Sequence, residues 1–134
     1  MPADVEVGVH LCYGDAGEKH FVEPADAANL TRFANAVQDA ATRPLTWLHL
    51  PVPIERDDEA CFASLTELRL GEGVELYRGL VRREDGAEGA LRRAAAASRY
   101  VARFGVATEC GIGRAPEGTT EDILRVHADV ARGW

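Results

Sequence analysis

The feature that most constrains this chain is a fourfold alternation of short β-rich runs and helical runs. Period-2 patterning puts strands at about residues 5–12, 45–50, 74–81 and 105–110, and helical spacing puts helices at about 24–41, 58–65, 88–103 and 120–132. A strand followed by a helix, repeated in register along the chain, reads as βα units with a parallel sheet. Four such units are half of a (β/α)8 barrel of the TIM type. The expected fold is therefore α/β, a single half-barrel domain over residues 1–134. No linker or low-complexity run interrupts it. Such a sheet has two open edges and one uncovered apolar face, so a second copy or a complementary half-barrel chain is expected to cover it.

Local signals refine this reading. Pro24 fits a first helical turn, and Leu30, Phe33, Ala34 and Val37 repeat with helical period. In the third long helix, Leu91, Ala95, Ser98 and Ala102 form the expected buried stripe, while Arg92 and Arg93 read as a solvated face. Thr119 and Asp122 suggest a capping box with a shortened acid. Cys61 reads as a small buried hydrophobe, and His20 and His127 as surface or helix-packing residues.

Composition narrows the function classes. The formal net charge of −7 argues against nucleic acid or an anionic membrane as the main partner. No apolar run is long enough to span a bilayer. The N-terminal residues lack the pattern of a secretory signal, which suggests a cytoplasmic protein. Three cysteines fit reduced thiols better than a disulfide framework.

The chemistry sits at strand ends. In Val-His-Leu-Cys-Tyr, His10 and Cys12 are two apart on the first strand and point to one face. If Val5, Val7, Val9 and Leu11 pack under the helices, His10 and Cys12 face the barrel axis. By the same parity Leu48 and Leu50 pack outward and His49 faces inward. Cys110, in Glu-Cys-Gly at the end of the fourth strand, is expected to share its face with Val106 and Thr108. Barrel sites lie at the C-terminal ends of strands, so these four residues are expected to meet at one mouth. An imidazole and two thiols are ligands that suit zinc.

The motifs His10-Leu11-Cys12-Tyr13 and Glu109-Cys110-Gly111-Ile112 resemble those of the catalytic domain of cobalamin-independent methionine synthase and its relatives. The resemblance covers almost the whole chain and matches the second half of that barrel. It implies a zinc ion held by His10, Cys12 and Cys110, and a thiol small-molecule substrate, of the homocysteine type, activated for methyl transfer. The family's glutamate ligand has no counterpart in Trp47-Leu48-His49-Leu50-Pro51. His49 stands in its place and becomes the expected fourth ligand. Asp15, after Tyr13-Gly14, and Arg114, in the loop after Cys110, are expected to contact substrate. The alternatives are a non-catalytic metal-binding scaffold or regulatory subunit, and a metal-free barrel fragment that recognises a small molecule.

Overall fold

In the computed structural model, four short strands line up in one sheet in the order in which the chain makes them. Residue 2 and residues 4–14 and 20–134 are described, Arg114 by its backbone alone. The strands are β1 (Gly8–His10), β2 (Trp47–Pro51), β3 (Glu75–Val81) and β4 (Gly105–Thr108). The helices are α1 (Ala28–Ala40), α2 (Glu59–Phe62), α3 (Gly86–Ala97) and α4 (Thr120–Arg132). All three strand pairings are parallel. A sequential order joined by right-handed crossovers puts every helix on the same side of the sheet.

Strand alternation divides the residues as the sequence pattern suggests. Leu48 and Leu50 on β2 and Leu76 and Leu80 on β3 are buried toward the helices, with Leu30, Ala34, Phe62, Leu65, Ala94 and Val130. The other parity faces away from them. There Gly8 pairs with Trp47, and His10 pairs with His49, which in turn pairs with Tyr77. Trp47 and Tyr77 lie flat over this face. A Cβ on Gly8 would run into the Trp47 indole, and one on Gly105 would reach within 2.6 Å of the Tyr77 ring. Trp47, His49, Tyr77, Glu75 and Ala107 line an open cleft of about 480 Å³ on it.

Several element ends differ from expectation, each for a local reason. Helix α1 begins at Ala28, where the Asp26 carboxylate accepts the Ala28 N–H at 2.8 Å, and not at Pro24. Phe33 is 60 % exposed, so the α1 stripe runs through Leu30, Thr31 and Ala34. Helix α2 is short and continues as a 3-10 turn, Ala63–Glu67. Asp58 caps α2 by accepting the Cys61 N–H at 3.1 Å. At α4 the capping box does not form: Thr119 donates its hydroxyl to the Pro116 carbonyl, and Asp122 accepts from Arg125.

The largest correction concerns α3. Its buried stripe is Ala90, Arg93, Ala94 and Ala97, whereas Leu91, Ala95 and Ser98 face outward. Arg93 is not solvated. It is 1 % exposed, donates to the Leu80 and Ile54 carbonyls, and pairs with both carboxylate oxygens of Asp85 at 2.5 and 3.0 Å. Small alanines on either side let the helix approach the sheet, and the arginine fills the gap with its polar groups satisfied. The Ala97 carbonyl accepts from both Tyr100 and Val101, which closes the helix well short of residue 103.

Cys61 is buried as expected, and burial pushes its thiol pKa up. No helix among the described residues is long and apolar enough to cross a membrane.

Candidate metal centre

Parallel strands present their C-terminal ends on one edge, and the chemistry-bearing side chains gather there. The β1–β2 ladder continues past the strand proper, with Leu11 N–H donating to the His49 carbonyl at 3.0 Å. That bond carries the extended backbone on toward Cys12. Gly14 follows, with φ of +98°, a conformation that favours glycine. This turn directs its N–H at the Cys12 Sγ, 3.3 Å away.

Cys110 arrives by a different route. Val106 pairs with Arg78 and packs against the helix-side core, so simple alternation does not set the direction of Cys110. Strand β4 ends at Thr108, and a register shift between Gly79 and Val81 of β3 lies opposite that end. Such an irregularity redirects the chain beyond it. The Glu109 backbone then crosses so close to Gly79 that a Cβ there would sit 2.7 Å from the Glu109 Cα. A glycine at 79 is what permits this crossing.

Glu109 anchors the crossing from inside. Its side chain is 6 % exposed, pairs with the Arg82 guanidinium, and meets His20 Nε2 at 2.5 Å. His20 Nδ1 lies 2.9 Å from Glu23 Oε2. His20 is thus a buried link between the segment after Tyr13 and the loop that carries Cys110. Sequence reasoning missed this role. Glu109 and His20 are far apart in the chain, and a pairing across that separation leaves no periodic trace.

The outcome is a tight cluster. Cys12 Sγ and Cys110 Sγ are 2.7 Å apart, and His10 Nε2 is 3.3 Å from Cys110 Sγ. One ligand atom from each of His10, Cys12 and Cys110 lies within 4.8 Å of the others. A tetrahedral zinc ion with Zn–S of about 2.3 Å and Zn–N of about 2.0–2.1 Å bridges such a span. Its sulfur ligands would stand about 3.8 Å apart by that geometry, so the thiols must separate by roughly 1 Å. Cys12 is exposed and has room to move. The donor set, one imidazole and two thiols, therefore fits zinc.

His49 lies beside this cluster but outside the group of three. Its Nδ1 is 2.9 Å from His10 Nδ1, and the two rings are tilted by 38° with centroids 4.5 Å apart. Burial, and then the neighbouring His10, pull the His49 pKa down to about 4, so its ring is neutral at physiological pH. Asp15 lies outside the described residues. Arg114 ends a 3-10 turn, Ile112–Arg114, just beyond Cys110, and its side chain is not described.

Behind the site, on the helix side, Arg78 is fully buried under the Phe62 ring, 5.9 Å from its centroid. Among the described residues, its Nε and Nη1 find no hydrogen-bond partner. Burial pulls its pKa down to about 10, which leaves it cationic. Burial also pushes the nearby Tyr13 up to about 12.

No protein family, curated protein or solved structure matches this chain significantly.

Proposed function

We propose that this chain is a half-barrel of four βα units whose His10, Cys12 and Cys110 hold a zinc ion and activate a thiol substrate for methyl transfer. This is the chemistry of the cobalamin-independent methionine synthase family that its two motifs resemble. The observation that carries the reading is the convergence of His10 Nε2, Cys12 Sγ and Cys110 Sγ at the C-terminal edge of a parallel sheet. Three protein ligands leave a fourth position for substrate, the arrangement of catalytic rather than structural zinc.

When bound, the ion lowers the pKa of a substrate thiol from about 8.5 and so supplies a sulfur nucleophile at neutral pH. The protein's own contribution is placement. The β1 extension delivers His10 and Cys12 together, and the Glu109 anchor holds Cys110 against them. The open face supports the proposed assembly: Trp47 and Tyr77 lie half-exposed beside His49 on the side without helices. A second copy, or a complementary half-barrel chain, would cover that face and close the barrel. The test is cobalt substitution. A homocysteine-type thiol added to the cobalt protein is expected to change the visible absorption bands. Unchanged bands would mean that no ligand position is open.

One observation favours a second reading, a non-catalytic metal-binding scaffold. His49 is close enough to His10 to become a fourth ligand if its ring turned. Four protein ligands would close the site. The same cobalt experiment separates the two readings.

A further inference from the structure

The contact between the two histidine rings carries information beyond ligand identity. The geometry points to His49 as a positioning residue that fixes the His10 ring for metal binding without itself touching the metal. This rests on the zinc reading above.

His10 and His49 are direct register partners on adjacent parallel strands, so their side chains rise from the same face side by side. Their Nδ1 atoms are 2.9 Å apart, a hydrogen-bond distance. Two imidazole nitrogens make such a bond only if one of them carries the proton. The other nitrogen of His10, Nε2, is the one aimed at Cys110. For Nε2 to donate its lone pair to an ion, the single proton of neutral His10 must sit on Nδ1. His49 Nδ1 must then accept, with its own proton on Nε2. That atom is buried, and the Thr108 backbone is a hydrogen-bonding neighbour of the His49 ring. His49 Nδ1, the nitrogen nearest the cluster ligands, is therefore engaged by His10 rather than by the metal.

The consequence is that His49 selects the tautomer and rotation of His10. Ligating histidines commonly use their second nitrogen in this way, and loss of the outer partner typically weakens metal binding about 10–100-fold. The orienting group here is itself a neutral imidazole rather than the usual carboxylate or backbone carbonyl. It adds no negative charge to a site that already holds two thiols.

The experiment compares wild type with His49→Asn, which keeps an acceptor near the Nδ1 position, and with His49→Leu, which removes it. Zinc affinity is read by competition with a chromogenic chelator, and the ligand atoms by X-ray absorption. Expected is a loss of about 10–100-fold for H49L and substantial rescue in H49N. All three proteins should show one imidazole and two sulfur ligands. A second imidazole in wild type that disappears in H49N would make His49 a ligand and overturn the inference. Equal affinity in H49L would also overturn it. If either variant fails to fold, nitrogen-15 spectra of the zinc-loaded wild type decide. The inference requires His10 protonated on Nδ1 and His49 on Nε2, and the reverse tautomers refute it. Absence of zinc binding in wild type would instead remove the functional reading itself.

Discussion

Replacing Glu109 with alanine tests how the loop bearing Cys110 is held. The Glu109 side chain is nearly buried and faces two cationic or proton-bearing partners, Arg82 and His20, which are 16 % and 8 % exposed. Removing one partner of a buried charged pair costs about 3–5 kcal/mol when the other is stranded. Arg82 is not fully enclosed, and His20 keeps its contact with Glu23, so a loss of about 2–3 kcal/mol is the better figure. With an m-value near 2 kcal/mol/M, this lowers the urea midpoint by about 1–1.5 M. A loosened loop must also be reordered when metal binds. At about 1–2 kcal/mol for each backbone residue fixed, freeing a single residue weakens zinc binding about 5–30-fold. Urea unfolding followed by circular dichroism, with chelator competition on the folded variant, measures both. A midpoint unchanged within error together with unchanged zinc affinity would refute the anchor.

Other outcomes follow from the same packing. Arg93→Ala is expected to cost about 3 kcal/mol, because Asp85 and two carbonyls lose a buried donor, while Arg92→Ala costs about 0.5 kcal/mol or less at a half-exposed position; urea titrations of the two variants check this, and a loss at Arg93 as small as that at Arg92 would contradict its burial. Arg78→Met should be neutral or stabilising by about 1–2 kcal/mol, since it exchanges a buried guanidinium with unpartnered nitrogens for an apolar chain under Phe62; a lower melting temperature would show that the charge has a partner. In thiol labelling of the metal-free protein, Cys12 and Cys110 should react quickly, whereas Cys61, buried and with its pKa raised, should react only as the protein opens; fast labelling of all three in native buffer would contradict the burial of Cys61.

The sequence made the strands legible because a half-covered parallel sheet imposes a simple parity. Leu48 and Leu50 fall on the helix side, and His10 and His49 fall together on the other. The stripe of α3 was harder to read. Alanine carries little hydrophobic signal, and a buried arginine looks solvated until its partner Asp85 is seen. The cluster of His10, Cys12 and Cys110 was legible in its members but not in its supports. Cys110 owes its direction to a register shift in β3 and to the space over Gly79, which are properties of two strands together. The Glu109–His20 link joins segments far apart in the chain and has no local signature. His49, expected as the fourth ligand, stands beside the cluster with its Nδ1 against His10 Nδ1, a contact that leaves no trace in the sequence.

The central claim is most directly tested by zinc content and mass in solution, measured together on protein purified without chelator, for wild type, Cys12→Ser and Cys110→Ser. The account predicts about one zinc per chain in wild type, in a dimer or larger assembly, and loss of the metal in both variants. A metal-free wild type, or full zinc occupancy that survives both substitutions, would contradict it.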